Sequence, residues 1–572
     1  MDRSDLLDRC YRHRRRLAAR RESGKGMTLR PQDPRAIALS TLVAWTTLWI
    51  VLAGNAPLWR ELQVRGLLEA KSGWLLAGTL AGMLAAGLFA LLSLLAWRPV
   101  LKPTLVLLLF SSALAAHFMW TYHIVIDSSM AANTLQTDWH EVRALLSPRL
   151  FAVVLLTGAL PSWPVWRLPV ARRPWQRQAL RNAIGALGGL AVLGGLLLLS
   201  FQPLASTMRN HKDLRYLMNP FNTLYAAGQA AYSGKRTQAD VARLGLDARV
   251  APPAAGAKPR LLLLVLGETG RSANFGINGY ARETTPELAR AGVATFRNAW
   301  SCGTSTAASV PCMFSNLGRA GFSARERDSE NLLDVLQHAG LAVLWIDNQP
   351  GGCKGVCARI PTADTSGARD PRFCARGECH DEILLAGLEE RIAALPEARR
   401  RLGVVVVLHQ MGSHGPDYAQ RSPPAFKRFM PECASSHLPD CSREGLRNAY
   451  DNTIAYTDHV LGSAIGWLRQ RADYDGALLY VADHGESLGE NNLYLHGLPY
   501  ALAPDVQKHV PWITWLSPSF QQRTGVTLPC LQRQADLRVT HDHLFHSVLG
   551  LMQVATSAYR LPLDAYAGCG PH

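Results

Sequence analysis

The sequence predicts two unlike parts, a bundle of five membrane-spanning α-helices followed by a globular α/β domain outside the membrane. Three observations predict them. Long apolar runs are confined to the first 201 of 572 residues, positive charge gathers in alternate loops between those runs, and ten of the eleven cysteines lie beyond residue 300.

A span needs about 20 mainly apolar residues. Five stretches qualify: 37–56, 73–96, 103–122, 148–166 and 181–201. Buried core helices are the competing reading, but five in series with few charges favour the membrane. None has the short apolar run and cleavage site of a signal peptide. Residues 1–36 carry 11 Lys/Arg against 5 Asp/Glu, Arg98 and Lys102 follow the second run, and Arg167, Arg172, Arg173, Arg177 and Arg181 crowd one later loop. Basic loops stay in the cytoplasm, which puts 57–72, 123–147 and everything after 202 outside. Cys10 then lies in a reducing compartment and the other ten cysteines in an oxidising one, where an even set at short spacings forms disulfides. The net charge of +16 could suggest nucleic acid. Its excess flanks apolar segments, and no zinc-finger spacing or RNA-binding motif accompanies it, so the membrane is the expected partner.

The domain limits follow. Residues 1–36 are a basic cytoplasmic segment, 37–201 the five-helix membrane domain, 202–258 a linker with interfacial helices, and 259–572 the globular domain outside the membrane. Arg215–Pro220 has the aromatic and basic character of an interfacial helix start, and residues 251–259 are a Pro/Ala-rich hinge.

From Arg260 onward short apolar runs read as buried parallel strands: Leu261–Leu266, Leu341–Ile346, Gly403–Leu408 and Ala477–Ala482. Helical patterns at Asn331–His338, Asp381–Leu395 and Glu444–Arg471 alternate with them, which predicts a mostly parallel sheet in an α/β sandwich. Polar residues sit just past the strand ends, where such sheets bind ligands. These are Glu268, Asp347, His409 with His414, and Asp483 with His484; His496 follows one short loop later. Imidazole and carboxylate converging at one edge suit zinc. Singly each has a plainer explanation, a solvent-exposed glutamate, a hydrogen-bonded loop histidine, an ordinary turn at Asp483–Glu486. Their joint placement is what favours a metal.

Cys302 and Cys312 bracket a hydroxyl-rich segment that enters a helix and contains Thr306. A helix start favours developing negative charge, and a nearby metal makes a hydroxyl nucleophilic. A capped helix start beside a structural disulfide is the plainer reading. Between the third and fourth runs, Asn133, Thr137 and Glu141 recur every four residues, one polar stripe on a helix. The stripe either solvates that helix or meets a lipid head group.

At Gly267-Glu268-Thr269, Asn278-Gly279-Tyr280, Cys302–Cys312, Lys354-Gly355-Val356, His409–Pro416, Tyr450–Thr453, Asp483–Glu490 and His496-Gly497 the sequence resembles the phosphoethanolamine transferases of the alkaline phosphatase/sulfatase superfamily. That family modifies lipid A and includes the transferable colistin-resistance enzymes. The resemblance runs from about residue 30 to the end of the chain. It implies five spans with a periplasmic catalytic domain of alkaline phosphatase/sulfatase type, Thr306 as nucleophile, and Glu268, Thr306, Asp483 and His484 as ligands of one tightly bound zinc. It implies that His414 and His496 serve a second zinc or the phosphoryl group and move protons, that Lys354 contacts phosphate, and that Asn133, Thr137 and Glu141 bind the head group. With their short spacings it also implies the disulfides Cys302–Cys312, Cys353–Cys357, Cys374–Cys379 and Cys433–Cys441, leaving Cys530 and Cys569 to each other. Two departures stand out. Gly270 occupies a position where relatives usually carry Ala or Ser, and the loop from Asp347 to Lys354 is one residue longer than usual.

The expected activity is transfer of phosphoethanolamine from phosphatidylethanolamine to lipid A phosphate through a phosphothreonine-type intermediate, by a monomer at a bacterial inner membrane, favouring polymyxin resistance. Kdo, core sugar and periplasmic glucan are alternative acceptors. A phosphatase or phosphodiesterase would use the same metal chemistry with water as acceptor; a sulfatase would need a Cys/Ser-x-Pro-x-Arg signature, which the Thr306 segment lacks. A phosphoglycerol transferase would lack the cysteine pattern, and a non-catalytic sensor would lack the zinc ligands.

Overall fold

Apolar length dictates the first half of the molecule. The computed structural model describes residues 36–69, 71–127, 130–131, 134, 142–143, 145–236, 241–254, 256–349, 351–375 and 377–570. Among them four helices are long and apolar enough to cross a membrane: Gly73–Leu94 (α3), Arg98–Tyr122 (α4), Pro148–Arg167 (α5) and Trp175–Leu199 (α6). Leu39–Gly54 (α1) meets Ala56–Val64 (α2) at a bend of 41° across Asn55, and makes a fifth span if the pair counts as one. Leu180, Ile184, Leu187, Leu198 and Leu199 on α6 are 61–85% exposed, an apolar surface suited to lipid. The opposite face is small. A Cβ at Gly189 would lie 2.8 Å from Ala86 O and 2.9 Å from Ala90 Cβ, so glycine lets α6 approach α3 closely.

Two helix starts differ from the hydropathy reading. The third span begins at Arg98, not 103, and the last at Trp175, not 181. Both additions carry arginines, whose stems extend along the helix while the charge stays at the membrane surface.

The linker folds as Phe201–Asn210 (α7), a 3₁₀ turn at Lys212–Leu217 and Phe221–Arg236 (α8). The segment Arg215–Pro220 therefore precedes a helix rather than beginning one. It also fastens the bend: Asn219 Nδ2 donates to Gly54 O (3.1 Å) and Ser112 O (3.0 Å), while Asn55 Nδ2 donates to Asn219 O (2.7 Å). These bonds satisfy carbonyls that the break in the helix would otherwise leave unpaired.

Among the described residues the second half has three small two-stranded sheets and is built around one eight-stranded sheet. Its strands are Arg260–Gly267 (β1), Ala294–Trp300 (β2), Ala342–Asp347 (β3), Thr362–Asp364 (β4), Val404–His409 (β5), Asp475–Ala482 (β6), His509–Leu516 (β7) and Arg538–Thr540 (β8). Their spatial order is β8-β2-β7-β6-β1-β5-β3-β4, parallel throughout except that β7 runs antiparallel to both neighbours. Leucines and valines bury β1 and β5 on both faces, and each fully buried leucine contributes about 2 kcal/mol. The helix Arg443–Arg469 (α10) covers one face with Leu446, Tyr450, Ile454, Leu461, Ile465 and Leu468, and Ser442 caps its start. The pattern read at Asp381–Leu395 is not one helix. It is a 3₁₀ turn at Asp381–Leu384 and a short helix at Leu388–Ala393, separated by Gly387 at φ 65°.

Register brings the strand ends level. Leu266 pairs with His409, Gly267 with Ala482, and Asp347 with His409. The next residues of β1 and β6, Glu268 and Asp483, therefore emerge side by side at the carboxyl edge of the sheet.

Candidate active site

At that edge Glu268, Asp483 and His484 offer ligand atoms that all lie within 4.8 Å of one another, and all three are buried. His484 Nε2 is 3.3 Å from Glu268 Oε1 and 3.3 Å from Asp483 Oδ2. Thr306 opens the helix Thr306–Met313 (α9), and its hydroxyl lies 3.2 and 3.1 Å from the two Glu268 oxygens and 3.4 Å from His484 Nε2. The four expected ligands thus meet at one point.

Each is held from behind. His484 Nδ1 donates to Gly485 O (2.9 Å), which turns the lone pair of Nε2 into the cluster. Asp483 Oδ1 accepts from Thr269 N (3.0 Å) and His484 N (2.7 Å). Glu268 accepts from Gln349 Nε2 and from Thr269 Oγ1, both at 2.6 Å. His541 Nδ1 accepts from Cys302 N (3.0 Å), and its Nε2 donates to Ala482 O (3.0 Å), tying the Thr306 loop to the end of β6. Burial pushes the His541 imidazole down to about 3, so it stays neutral and keeps this donor–acceptor arrangement.

The electrostatics call for a cation. Burial raises both carboxyls, yet the His484 imidazole holds Glu268 well below the usual carboxylate range. Asp483, buried and beside the Glu268 charge, is pushed up to about 6. Burial alone would lower His484, but Asp483 and Glu268 push it up to about 10. Asp483 Oδ2 is buried and accepts no hydrogen bond. One imidazole nitrogen, two carboxylates and a hydroxyl, with an acceptor atom unsatisfied, fit a zinc ion.

A second pair of histidines lies next to this cluster. The His496 ring centroid is 4.2 Å from that of His484 and 5.9 Å from that of His414. His496 Nδ1 faces Glu486 Oε1 at 3.3 Å, and Tyr418 OH donates to Glu486 (2.8 Å). His409 turns away from the cluster toward Asp347 (3.0 Å). Lys354, at φ 50° in the Cys353–Cys357 loop, is hydrogen-bonded to none of the four ligands among the described residues; Gln349 from the same loop makes that contact instead. Asn133, Thr137 and Glu141 lie outside the described residues. Disulfides join Cys302–Cys312, Cys353–Cys357, Cys374–Cys379, Cys433–Cys441 and Cys530–Cys569.

Several supports had no sequence signal of their own, among them Gln349, Glu486, His541 and Asp381. Asp381 is buried and accepts from Met411 N (2.8 Å), Gly412 N (2.9 Å) and Asn348 Nδ2 (2.8 Å). It thereby presses the His409–His414 loop onto Glu268: a Cβ at Gly412, φ 54°, would lie 2.6 Å from Glu268 O. Asp381→Ala strands two buried N–H groups at about 1–3 kcal/mol each. The expected result is a Tm lowered by at least about 4 °C and a kcat lowered about tenfold; parent values for both would contradict this role.

Toward the membrane the two histidines open into an apolar cavity of about 540 Å³, lined by Phe118, Tyr122, Ile124, Met130, Leu146 and Leu150 among others. A Cβ at Gly497 would lie 2.8 Å from Met130 Cε, so the catalytic loop rests directly on the segment that follows α4. A buried polar centre thus sits beside an apolar cavity bordered by His414 and His496.

A family model described as "Sulfatase" matches residues 260–554, and one described as "Phosphoethanolamine transferase EptA/EptB" matches residues 84–234. Phosphoethanolamine transferase EptA of Escherichia coli (strain K12) is 40% identical over 476 residues, 82% of this chain and 85% of that protein. Phosphatidylethanolamine transferase Mcr-1 of Escherichia coli is 36% identical over 533 residues, 91% of this chain and 96% of that protein. The solved integral membrane lipooligosaccharide phosphoethanolamine transferase A of Neisseria meningitidis superposes with a TM-score of 0.88 at 34% identity, covering 94% of this chain and 100% of that one.

Proposed function

The chain belongs to the phosphoethanolamine transferase family, and from that membership we propose that it moves phosphoethanolamine from phosphatidylethanolamine to a lipid A phosphate at the periplasmic face of a bacterial inner membrane. The observation that carries this reading is the apolar cavity opening onto His414 and His496 beside Thr306. A soluble phosphate ester would need no such space, whereas the acyl chains of a diacyl phospholipid do.

Glu268, Thr306, Asp483 and His484 would hold zinc, whose charge lowers the pKa of a hydroxyl and offsets charge on phosphoryl oxygens. The rest is done by the chain. Thr306 Oγ1 gives its proton to His414 and forms a bond to the phosphorus of phosphatidylethanolamine, and the phosphorus–oxygen bond to diacylglycerol breaks. His496, oriented from behind by Glu486, supplies the proton that the departing diacylglycerol oxygen takes. An oxygen of the acceptor phosphate then attacks the same phosphorus, and Thr306 leaves and recovers its proton. His414 stands across the site from His496 and shares the handling of protons and phosphoryl oxygens. The added aminoethyl group brings a positive charge to lipid A, which weakens binding of cationic peptides such as polymyxin.

Incubating the purified chain with fluorescent phosphatidylethanolamine and lipid A tests the reading. Labelled diacylglycerol together with phosphoethanolamine on lipid A is expected. Free phosphoethanolamine with unmodified lipid A would indicate a hydrolase, and modification only of Kdo, core sugar or glucan would move the acceptor. Donor choice follows from the polar stripe. Thr134, the sequence neighbour of Asn133, lines the cavity. Glu141, paired with the donor ammonium, would exclude phosphatidylglycerol. Glu141→Gln is expected to lower turnover of phosphatidylethanolamine about tenfold or more with zinc content and hydrolysis of a small soluble phosphodiester kept; unchanged lipid turnover would return the stripe to a solvated helix face.

A further inference from the structure

A second cavity, of about 280 Å³, lies on the other side of the segment that carries His496. Its membrane wall holds Arg60, Glu61, Arg65 and Asp213, and its catalytic wall holds Leu493 and Leu498. The two cavities divide the loop between them, with Leu495 and His496 facing the first and Leu493 and Leu498 the second.

The charges of this second cavity are not equivalent. Arg65 is clamped by Glu61 (3.2 Å) and by both Asp213 oxygens (3.1 and 2.5 Å), one cation held between two carboxylates. Arg60 pairs with no carboxylate among the described residues. Its guanidinium lies 4.7 Å from the Trp120 ring centroid and donates to Trp120 O (3.1 Å), contacts that fix its direction without pairing it to a carboxylate. A planar cation held over an aromatic ring, with apolar walls beside it at the outer membrane surface, matches a phosphate on an amphiphile.

The cavity also borders the loop that precedes Thr306. Leu498 O accepts from Thr304 Oγ1 (2.6 Å), and Thr304 O accepts from Gly497 N (2.8 Å), two residues before Thr306. A molecule seated against Leu498 is thus one hydrogen-bonded step from the loop that holds the nucleophile.

We propose that this second cavity seats the phosphorylated acceptor glycolipid, through Arg60, while the apolar cavity holds the donor phospholipid, so that the two amphiphiles flank the His496 segment from opposite sides. The proposal rests on the transferase reading above. Between the two lipids the acceptor is favoured here, because the apolar cavity already offers the volume for acyl chains at the two histidines and the second offers a phosphate-matching cation.

The test uses the full chain in vesicles of phosphatidylglycerol and labelled phosphatidylethanolamine. Without acceptor, release of labelled diacylglycerol reports the donor step alone; titrated lipid A reports the acceptor step. Arg60→Ala is expected to keep the amplitude and rate of the diacylglycerol burst within about twofold and to raise the KM for lipid A at least tenfold, with Arg60→Lys recovering most of the loss. The retained burst shows that the variant is folded. Loss of the burst with an unchanged lipid A KM would assign the cavity to the donor, and an unchanged KM with an unchanged burst would remove Arg60 from both; either overturns the proposal. Should the parent give no burst, the transferase reading itself fails. Direct binding of lipid A to the parent and to Arg60→Ala in detergent still reads the cavity in that case, with affinity at least tenfold weaker in the variant expected and equal affinity contradicting it.

Discussion

Thr306→Ala is expected to lower transfer at least a thousandfold while zinc content stays near that of the parent. The threonine hydroxyl lies among the ligand atoms of the cluster, 3.1–3.4 Å from Glu268 and His484, whereas Ser309 of the same loop donates to the backbone carbonyl of Asp483 and not to a ligand side chain. A thousandfold loss corresponds to about 4 kcal/mol of transition-state stabilisation, within what removal of a covalent nucleophile costs. Metal retention follows because Glu268, Asp483 and His484 remain, and three protein ligands suffice for a catalytic zinc. Folding should survive, since alanine is a good helix former at the first position of α9 and Ser305 still precedes it. Thr306→Ser keeps the hydroxyl and should retain measurable turnover. Parent-like turnover by Thr306→Ala would remove it as the nucleophile.

The second large effect separates charge from scaffold at Asp483. Asp483→Ala, like Glu268→Ala and His484→Ala, should lose both zinc and transfer. It also strands Thr269 N and His484 N, which share Asp483 Oδ1, so its loss of activity alone is ambiguous. Asp483→Asn can keep that acceptor while removing the charge. The expected result is a Tm close to the metal-free parent, zinc reduced to a small fraction, and transfer lowered at least a hundredfold. Full zinc occupancy in Asp483→Asn would show that the carboxylate is not a ligand.

Much of this architecture was legible because the physics is local. Buried parallel strands must be continuously apolar, which made Leu261–Leu266, Gly403–Leu408 and Ala477–Ala482 readable, and the strand-end rule then pointed to Glu268, Asp483 and His484 together. The strands Ala294–Trp300 and His509–Leu516 escaped the reading. The first mixes Arg297 and Asn298 into an irregular half-buried pattern, and the second carries Pro511 beside a register shift in its pairing with the first. The supports of the site escaped for a different reason. Gln349 reaches Glu268 across 81 residues and Asp381 reaches Met411 across 30. Neither spacing has a periodic signature, and only the sheet register brings the partners together.

Both cavities take walls from the membrane domain and from the catalytic domain. Leu498 and Ala503 of the catalytic domain pack in one apolar cluster with Leu58, Leu62, Ala115 and Met119 of the membrane domain. A catalytic domain released from the membrane would keep the Glu268–Asp483–His484 cluster yet lose walls of both cavities, so the lipid sites proposed above require the whole chain.

The most direct test of the central claim is to look for the covalent intermediate. The parent chain is incubated with isotope-labelled phosphatidylethanolamine and no acceptor, quenched in acid, digested and analysed by mass spectrometry. The account predicts labelled phosphoethanolamine on the peptide containing Thr306, lost when lipid A is added and absent from Thr306→Ala. A chain that transfers the label to lipid A with no adduct on Thr306, or with the adduct on another residue, would contradict it.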